Sequence, residues 1–180
     1  MVYILLENGF EEIEALAVAD ILRRAKINVE TVSCINNTNT VSGAHKISVN
    51  ADINIKDIAG EYDMIILPGG YPGYENLINN PDVKYVVENA YSRKKYIAAI
   101  CASPSILGKW GMLKGITACC YPSFEDELLG ANVSYNPVVT EDNIITSRGD
   151  GTAHLFAFEI VKILKNSKTA DEIKSSMIYE

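Results

Sequence analysis

Apolar and polar positions alternate between strand-like and helix-like periods along the whole chain. Val2 to Glu7 is a strongly apolar first strand. Glu11 to Ala25 follows with helical spacing, acidic residues in its first turn and Arg23 and Arg24 near its end, as the helix macrodipole favours. Asn28 to Ser33 returns as a strand. The Asn36-Asn37-Thr38-Asn39 turn and the Lys46 to Asn50 stretch read as an irregular hairpin or edge excursion. Met64 to Leu67 is a third buried strand, stopped abruptly by Pro68-Gly69-Gly70-Tyr71-Pro72-Gly73. Asp82 to Arg93 predicts a helix feeding a strand that ends at Cys101. Later come strand Thr117 to Cys120, a short helix Phe124 to Leu129, strands near Val138 and from Ile144 to Ser147, and a helix from about Thr152 to Leu164. Strand and helix in alternation predict an α/β fold with a mainly parallel sheet covered by helices. No linker, repeat or low-complexity tract interrupts the order, so residues 1–180 read as one domain.

The first helix departs from the single apolar stripe that covers a sheet. Ile13, Ala15, Leu16, Ala17, Val18, Ala19, Ile21 and Leu22 run around almost its whole circumference. That pattern predicts two burials, one on the sheet and one against a second copy, giving a two-fold homodimer through the Glu11–Ala25 helix. The remaining composition narrows the class. With 16 Lys and Arg against 23 Asp and Glu the formal charge is −7, which argues against a nucleic-acid or anionic-membrane surface. No apolar run approaches the roughly 20 residues that cross a bilayer, and Met1 to Glu7 lacks the basic flank of a signal peptide, so a cytoplasmic location is expected. Cys34, Cys101, Cys119 and Cys120 show no C-x-x-C spacing, so no zinc site or disulfide framework is expected.

Candidate chemistry concentrates where strands end. The run Tyr96-Ile97-Ala98-Ala99-Ile100-Cys101-Ala102-Ser103-Pro104 has the shape of a nucleophile elbow: an apolar strand, small residues around the turn, and a proline suited to a first helical turn. A thiol at a helix N-terminus is expected to favour the thiolate and to react at neutral pH. The alternative is an inert, buried strand-end cysteine. Ligands gather beyond the carboxyl ends of parallel strands, so the segments after the first, third and Cys101 strands are expected to converge. Gly69-Gly70 then serves either as a plain turn or as a backbone donor loop, with the Gly70 and Ala102 amides as the natural pair. Glu14, inside the apolar helix, is either the third acid of a helix start or a desolvated carboxyl that donates to a thiolate.

Taken together, Gly9-Phe10-Glu11-Glu12-Ile13-Glu14, Leu67-Pro68-Gly69-Gly70, Ala98-Ala99-Ile100-Cys101-Ala102-Ser103-Pro104 and Thr146-Ser147-Arg148-Gly149-Asp150-Gly151-Thr152 resemble the ThiJ/PfpI superfamily, closest to its Parkinsonism-associated protein deglycase branch. The resemblance runs over nearly the whole chain. It implies a flavodoxin-like three-layer sandwich, a homodimer, and a Cys101 nucleophile hydrogen-bonded to Glu14 beneath the Gly70 and Ala102 amides. The branch usually has a histidine where this chain has Tyr121, and tyrosine is a poor base at neutral pH, leaving Tyr121 an auxiliary hydrogen-bonding group. Protease-like members carry a histidine directly after the nucleophile; Ala102 stands there, which disfavours proteolysis. Asp150 replaces a common proline and is expected to alter only loop stiffness. His45 falls in the hairpin region, and His154, at the start of the late helix, reads as a surface or interface residue.

Two functions follow from the resemblance. One is a cofactor-free glyoxalase or deglycase acting on 2-oxoaldehydes such as methylglyoxal or on their adducts, with a small reactive carbonyl as the partner molecule. The other is a redox sensor or stress-response protein in which Cys101 oxidises to a sulfinate held by Glu14. Neither calls for a metal or organic cofactor. A thiamine-biosynthetic kinase lacks support, because no G-x-x-x-x-G-K-[ST] loop is present.

Overall fold

The computed structural model describes residues 1–179. Strand β1 (Val2–Leu6) leads into helix α1 (Glu12–Arg24) and strand β2 (Val29–Ser33). The hairpin β3 (Thr40–Ser42) and β4 (Ser48–Asn50) follows, then β5 (Ile53–Asn54) and β6 (Met64–Leu67). Helices α2 (Gly73–Asn79) and α3 (Pro81–Ser92) precede β7 (Tyr96–Ile100) and α4 (Pro104–Lys109). Short strands β8 (Thr117–Ala118) and β9 (Asn132–Val133) lie between α4 and the pair β10 (Val138–Glu141) and β11 (Ile144–Ser147). Helices α5 (Ala153–Leu164) and α6 (Ser167–Ser176) close the chain.

Seven strands form the central sheet in the order β10-β11-β7-β6-β1-β2-β5, and only β10 runs antiparallel to its neighbour. Both faces are covered, which explains why β1, β6 and β7 are apolar along nearly their whole length. Alternate residues separate the two cores. Ile4, Leu6, Ile66, Ala98 and Ile100 pack with Val18, Ile21 and Leu22 of α1 and with Phe156 and Ile160 of α5. Leu5, Ile65, Leu67, Ile97 and Ala99 pack with Val83 and Val87 of α3 and with Ile106 and Leu107 of α4. The result is the flavodoxin-like three-layer sandwich. The chain crosses from β1 to β2 on one side and later to β6 on the other, so the strand order reverses beside β1. A crevice opens at the carboxyl ends there.

Three expectations need correction. Residues of α1 are not exposed all round: Val18 is fully buried within its own chain, and α1 packs on α5 as well as on the sheet. The second apolar face is spent largely inside the chain, leaving Ile13, with half-buried Leu16 and Ala17, as the outward strip. The strand expected over Thr117 to Cys120 covers only Thr117–Ala118, and Phe124 to Leu129 forms a single 3₁₀ turn over Glu125–Glu127. Among the described residues no helix is long and apolar enough to cross a membrane.

Candidate active site

Four chain segments meet at the carboxyl edge of the sheet: the start of α1, the loop after β6, the turn after β7 and the loop after β11. Cys101 follows directly on β7 with φ at 66°, the left-handed region that costs a non-glycine residue about 1–3 kcal/mol. The turn is pinned on several sides. Cys101 N–H donates to the Ser147 carbonyl at 3.0 Å, its own carbonyl accepts from the Tyr121 amide at 2.7 Å, and the buried Ser103 hydroxyl donates to the Pro68 carbonyl at 2.6 Å. Surroundings that over-determine a strained residue are how a side chain is held out at a functional edge.

Gly69 shows why that segment tolerates no side chain. A Cβ there would lie 2.5 Å from Cys101 Cβ, 2.8 Å from Glu14 Oε2 and 3.0 Å from Cys101 Sγ. Its amide instead donates to Glu14 Oε2 at 2.7 Å. Gly70, at φ +96°, approaches the Gly9 carbonyl and the Glu11 amide too closely for any Cβ. The Gly70 and Ala102 amides and the Glu14 carboxyl all act on the Cys101 sulfur, the amides favouring its thiolate and the carboxylate opposing it. Glu14 is 1% exposed, and its Oε1 has no hydrogen-bond partner. A buried, unpaired carboxylate oxygen is costly unless the group carries a proton.

The electrostatics follow from burial. Desolvation raises the Glu14 carboxyl to about 7, opposed by the bonds from the Gly69 amide and Cys101 and assisted by the charges of Glu11 and Asp150. Desolvation likewise pushes the Cys101 thiol up to about 12; negative Glu14 adds to the rise, and the Gly70 and Ala102 amides counter it. Burial and the neighbouring carboxylate therefore work against the thiolate that the helix N-terminus favours. Helix α4 begins only at Pro104 and is six residues long, so its dipole is outweighed by burial and by a carboxylate next to the sulfur. Moving the proton from sulfur to Glu14 removes that repulsion and turns the carboxyl into a donor.

Cys101, Glu14, Gly70, Ala102 and Tyr121 all line one cavity of about 510 Å³. Tyr71, Tyr74 and Phe124 supply aromatic walls. Two further lining residues were assigned no such place by the sequence. Asp150 reaches the cavity and acts on Glu14 by its charge, correcting the expectation that it alters only loop stiffness. His45 comes from the β3–β4 hairpin, 33 positions after Glu12 in the sequence, and its Nδ1 lies 3.0 Å from Glu12 Oε2. His154 instead stacks on Tyr179, with ring centroids 5.6 Å apart. Glu11, Glu12 and His45 bring three metal-type ligand atoms within 4.8 Å, but both Glu12 oxygens are already committed, one to the His45 and Ile47 amides and one to the His45 ring. Those bonds tie the hairpin to α1 rather than build a metal site.

A strained cysteine elbow under a buried glutamate, at the edge of a flavodoxin-like sheet, defines a class of cysteine-centred α/β proteins. Residues 1–163 match the DJ-1/PfpI family, and the chain belongs to it. It is 36% identical to the Parkinson disease protein 7 homolog of Danio rerio, over 98% of this chain and 96% of that one. The glutathione-independent glyoxalase DJ-1 of Schizosaccharomyces pombe is 31% identical over 99% of this chain and 96% of its own. The solved structure of oxidized Toxoplasma gondii DJ-1 superposes with a TM-score of 0.94 at 33% identity, covering 99% of this chain and 97% of that one.

Proposed function

We propose that this protein is a cofactor-free, cysteine-dependent glyoxalase or deglycase that converts 2-oxoaldehydes such as methylglyoxal, or acts on their early adducts. The observation that carries the reading is a buried carboxyl and a strained thiol brought together on one cavity. Cys101 adds to the aldehyde carbon, and Glu14 takes the thiol proton and returns it to oxygen. The Gly70 and Ala102 amides stabilise negative charge on sulfur and on the oxygen formed beside it. Tyr121 at the rim orients the carbonyl through its hydroxyl. Glyoxalase relatives that span nearly the whole chain support this activity. Lining the cavity with Glu11, Glu14 and Asp150 and with no lysine or arginine favours neutral carbonyl compounds over carboxylated ones.

The same reading takes residues 1–180 as one domain, places the protein in the cytoplasm, and pairs two copies through the Ile13, Leu16 and Ala17 strip of α1. Incubation with methylglyoxal tests the activity. Lactate formed by wild type and absent with Cys101→Ala supports it; equal yields from the two proteins overturn it. A second reading, a redox sensor, is favoured by Glu14 itself, because a carboxyl that holds its proton near neutral pH is a donor for a Cys101 sulfinate. Its test is peroxide titration: the sulfinate accumulates in wild type and in Glu14→Gln but runs on to sulfonate in Glu14→Leu. Equal over-oxidation in all three removes it.

A further inference from the structure

The hairpin that delivers His45 is built onto α1. Any side chain at Gly43 would occupy the space of the Glu12 carboxylate, so the loop lies directly against the buried start of the helix. Glu12 is 5% exposed; one oxygen accepts from the His45 amide at 2.8 Å and the other faces His45 Nδ1 at 3.0 Å. A carboxylate fixed beside Nδ1 keeps the proton on that nitrogen and leaves Nε2 free. Burial opposes ionisation of Glu12, yet the bonds from the His45 ring, from its own amide and from the His45 and Ile47 amides outweigh it and hold the carboxyl below its ordinary range. The imidazole is two-thirds exposed, with a side-chain accessibility of 69%, and it lines the cavity that holds Cys101 and Glu14. Tyr121, on the same cavity, is a phenol and cannot serve as the base.

We propose that Glu12 and His45 form the acid–base dyad of this site, with His45 Nε2 carrying a proton between the two carbonyl carbons of a Cys101-bound 2-oxoaldehyde. The inference rests on the glyoxalase reading. Sulfur first bonds to the aldehyde carbon, and the aldehyde oxygen gains the thiol proton through Glu14. His45 Nε2 then removes the hydrogen on that carbon as a proton. The freed electron pair forms a carbon–carbon double bond, and the ketone π pair moves to the ketone oxygen, to which Glu14 relays the proton of the hydroxyl on the sulfur-bearing carbon. The carbonyl then reforms on the sulfur-bearing carbon, and the double-bond pair takes the proton from His45 at the neighbouring carbon. The product is a lactoyl thioester, which water cleaves to lactate and the free thiol. One water is consumed and no external oxidant or reductant is required.

Exposure separates the two proton carriers. A proton on His45 exchanges with solvent, whereas one held on Glu14, 1% exposed, is shielded. Glu12, Glu11 and Asp150 all face the imidazole and favour its charged form, with the Glu12 hydrogen bond the largest influence, and Lys46 is its neighbour in the loop. Activity must therefore rise as His45 loses its proton.

The test is methylglyoxal conversion in D2O by wild type, His45→Gln and Glu12→Gln, reading the rate against pH and the deuterium at carbon 2 of lactate. Wild type is expected to give deuterated lactate with a rate that rises through the histidine range. Glu12→Gln moves that rise to lower pH, and His45→Gln slows turnover by about 100-fold, abolishes the rise and lowers the deuterium content. His45 is exposed, so its replacement leaves the core intact. Wild-type rate, pH profile and deuterium content in His45→Gln overturn the dyad while leaving the glyoxalase reading in place. If wild type forms no lactate, that reading fails and the dyad falls with it.

Discussion

Replacing Glu14 with glutamine should change how stability depends on pH, by an amount that burial sets. The carboxyl moves from an ordinary 4.5 to about 7 in the folded chain. A folded pKa above the unfolded one means that the native state binds the proton more tightly. The stabilisation is fully present below pH 4.5, is lost as pH rises towards 7, and stays lost above it. At about 1.36 kcal/mol for each pH unit, the difference amounts to about 3 kcal/mol across this window. Glutamine keeps an oxygen to accept the Gly69 amide and never ionises, so other titrating groups cancel when the two proteins are compared. Urea unfolding of wild type and Glu14→Gln at pH 4.5 and pH 8 supplies the measurement. Between those pH values wild type should lose about 3 kcal/mol relative to the variant. A difference between the two proteins that is the same at both pH values would refute a buried, proton-holding Glu14.

Other consequences can be checked independently. A limiting electrophile should label Cys101 before Cys34, Cys119 and Cys120, because Cys101 alone of the four is only part-buried; peptide mapping that finds the Cys119-Cys120 peptide labelled first contradicts the elbow. Gly69→Ala should leave the protein folded but cut Cys101-dependent turnover by about 100-fold, since its Cβ would displace both Cys101 and Glu14, and displacements near 1 Å carry that cost; wild-type kinetics would show that the contact is not tight. Ile13→Asp should convert a dimer to monomer by light scattering with thermal stability nearly unchanged, and a wild type already monomeric at micromolar concentration removes the α1 interface. Val18→Asp would not serve there, because it buries a charge in the chain's own core.

Much of the scaffold was legible because it is built from long apolar runs. Met64–Leu67, Tyr96–Ile100 and Ile144–Ser147 are buried from end to end or nearly so, and no other local structure suits such segments between turn signals. Strand β5 escaped because two residues, Ile53–Asn54, carry no period. Helix α2 starts inside a Pro-Gly-rich stretch that reads as loop, and α6 is mainly polar with only Ala170 fully buried. Cys101, Gly70 and Ala102 announced themselves through local chemistry at a strand end. His45 and Asp150 did not, since their place at the cavity depends on a hairpin folding over α1 and on the loop after β11. A signal for His45 was present in Gly43 and in Glu12, but only the contact between them gives it meaning. The groups that oppose the Cys101 thiolate were hidden for a related reason: a helix start can be seen in sequence, whereas the depth of burial and the neighbouring carboxylate belong to the tertiary structure.

The relay through Glu14 is the centre of this account, and the rate of lactate formation by Glu14→Gln at pH 7 tests it most directly. Glutamine preserves shape and a hydrogen-bond donor but offers no proton to exchange. Turnover should fall by at least about 100-fold relative to wild type, while Cys101 in the variant still stops at sulfinate under mild peroxide. Equal rates of lactate formation in Glu14→Gln and wild type would contradict the mechanism.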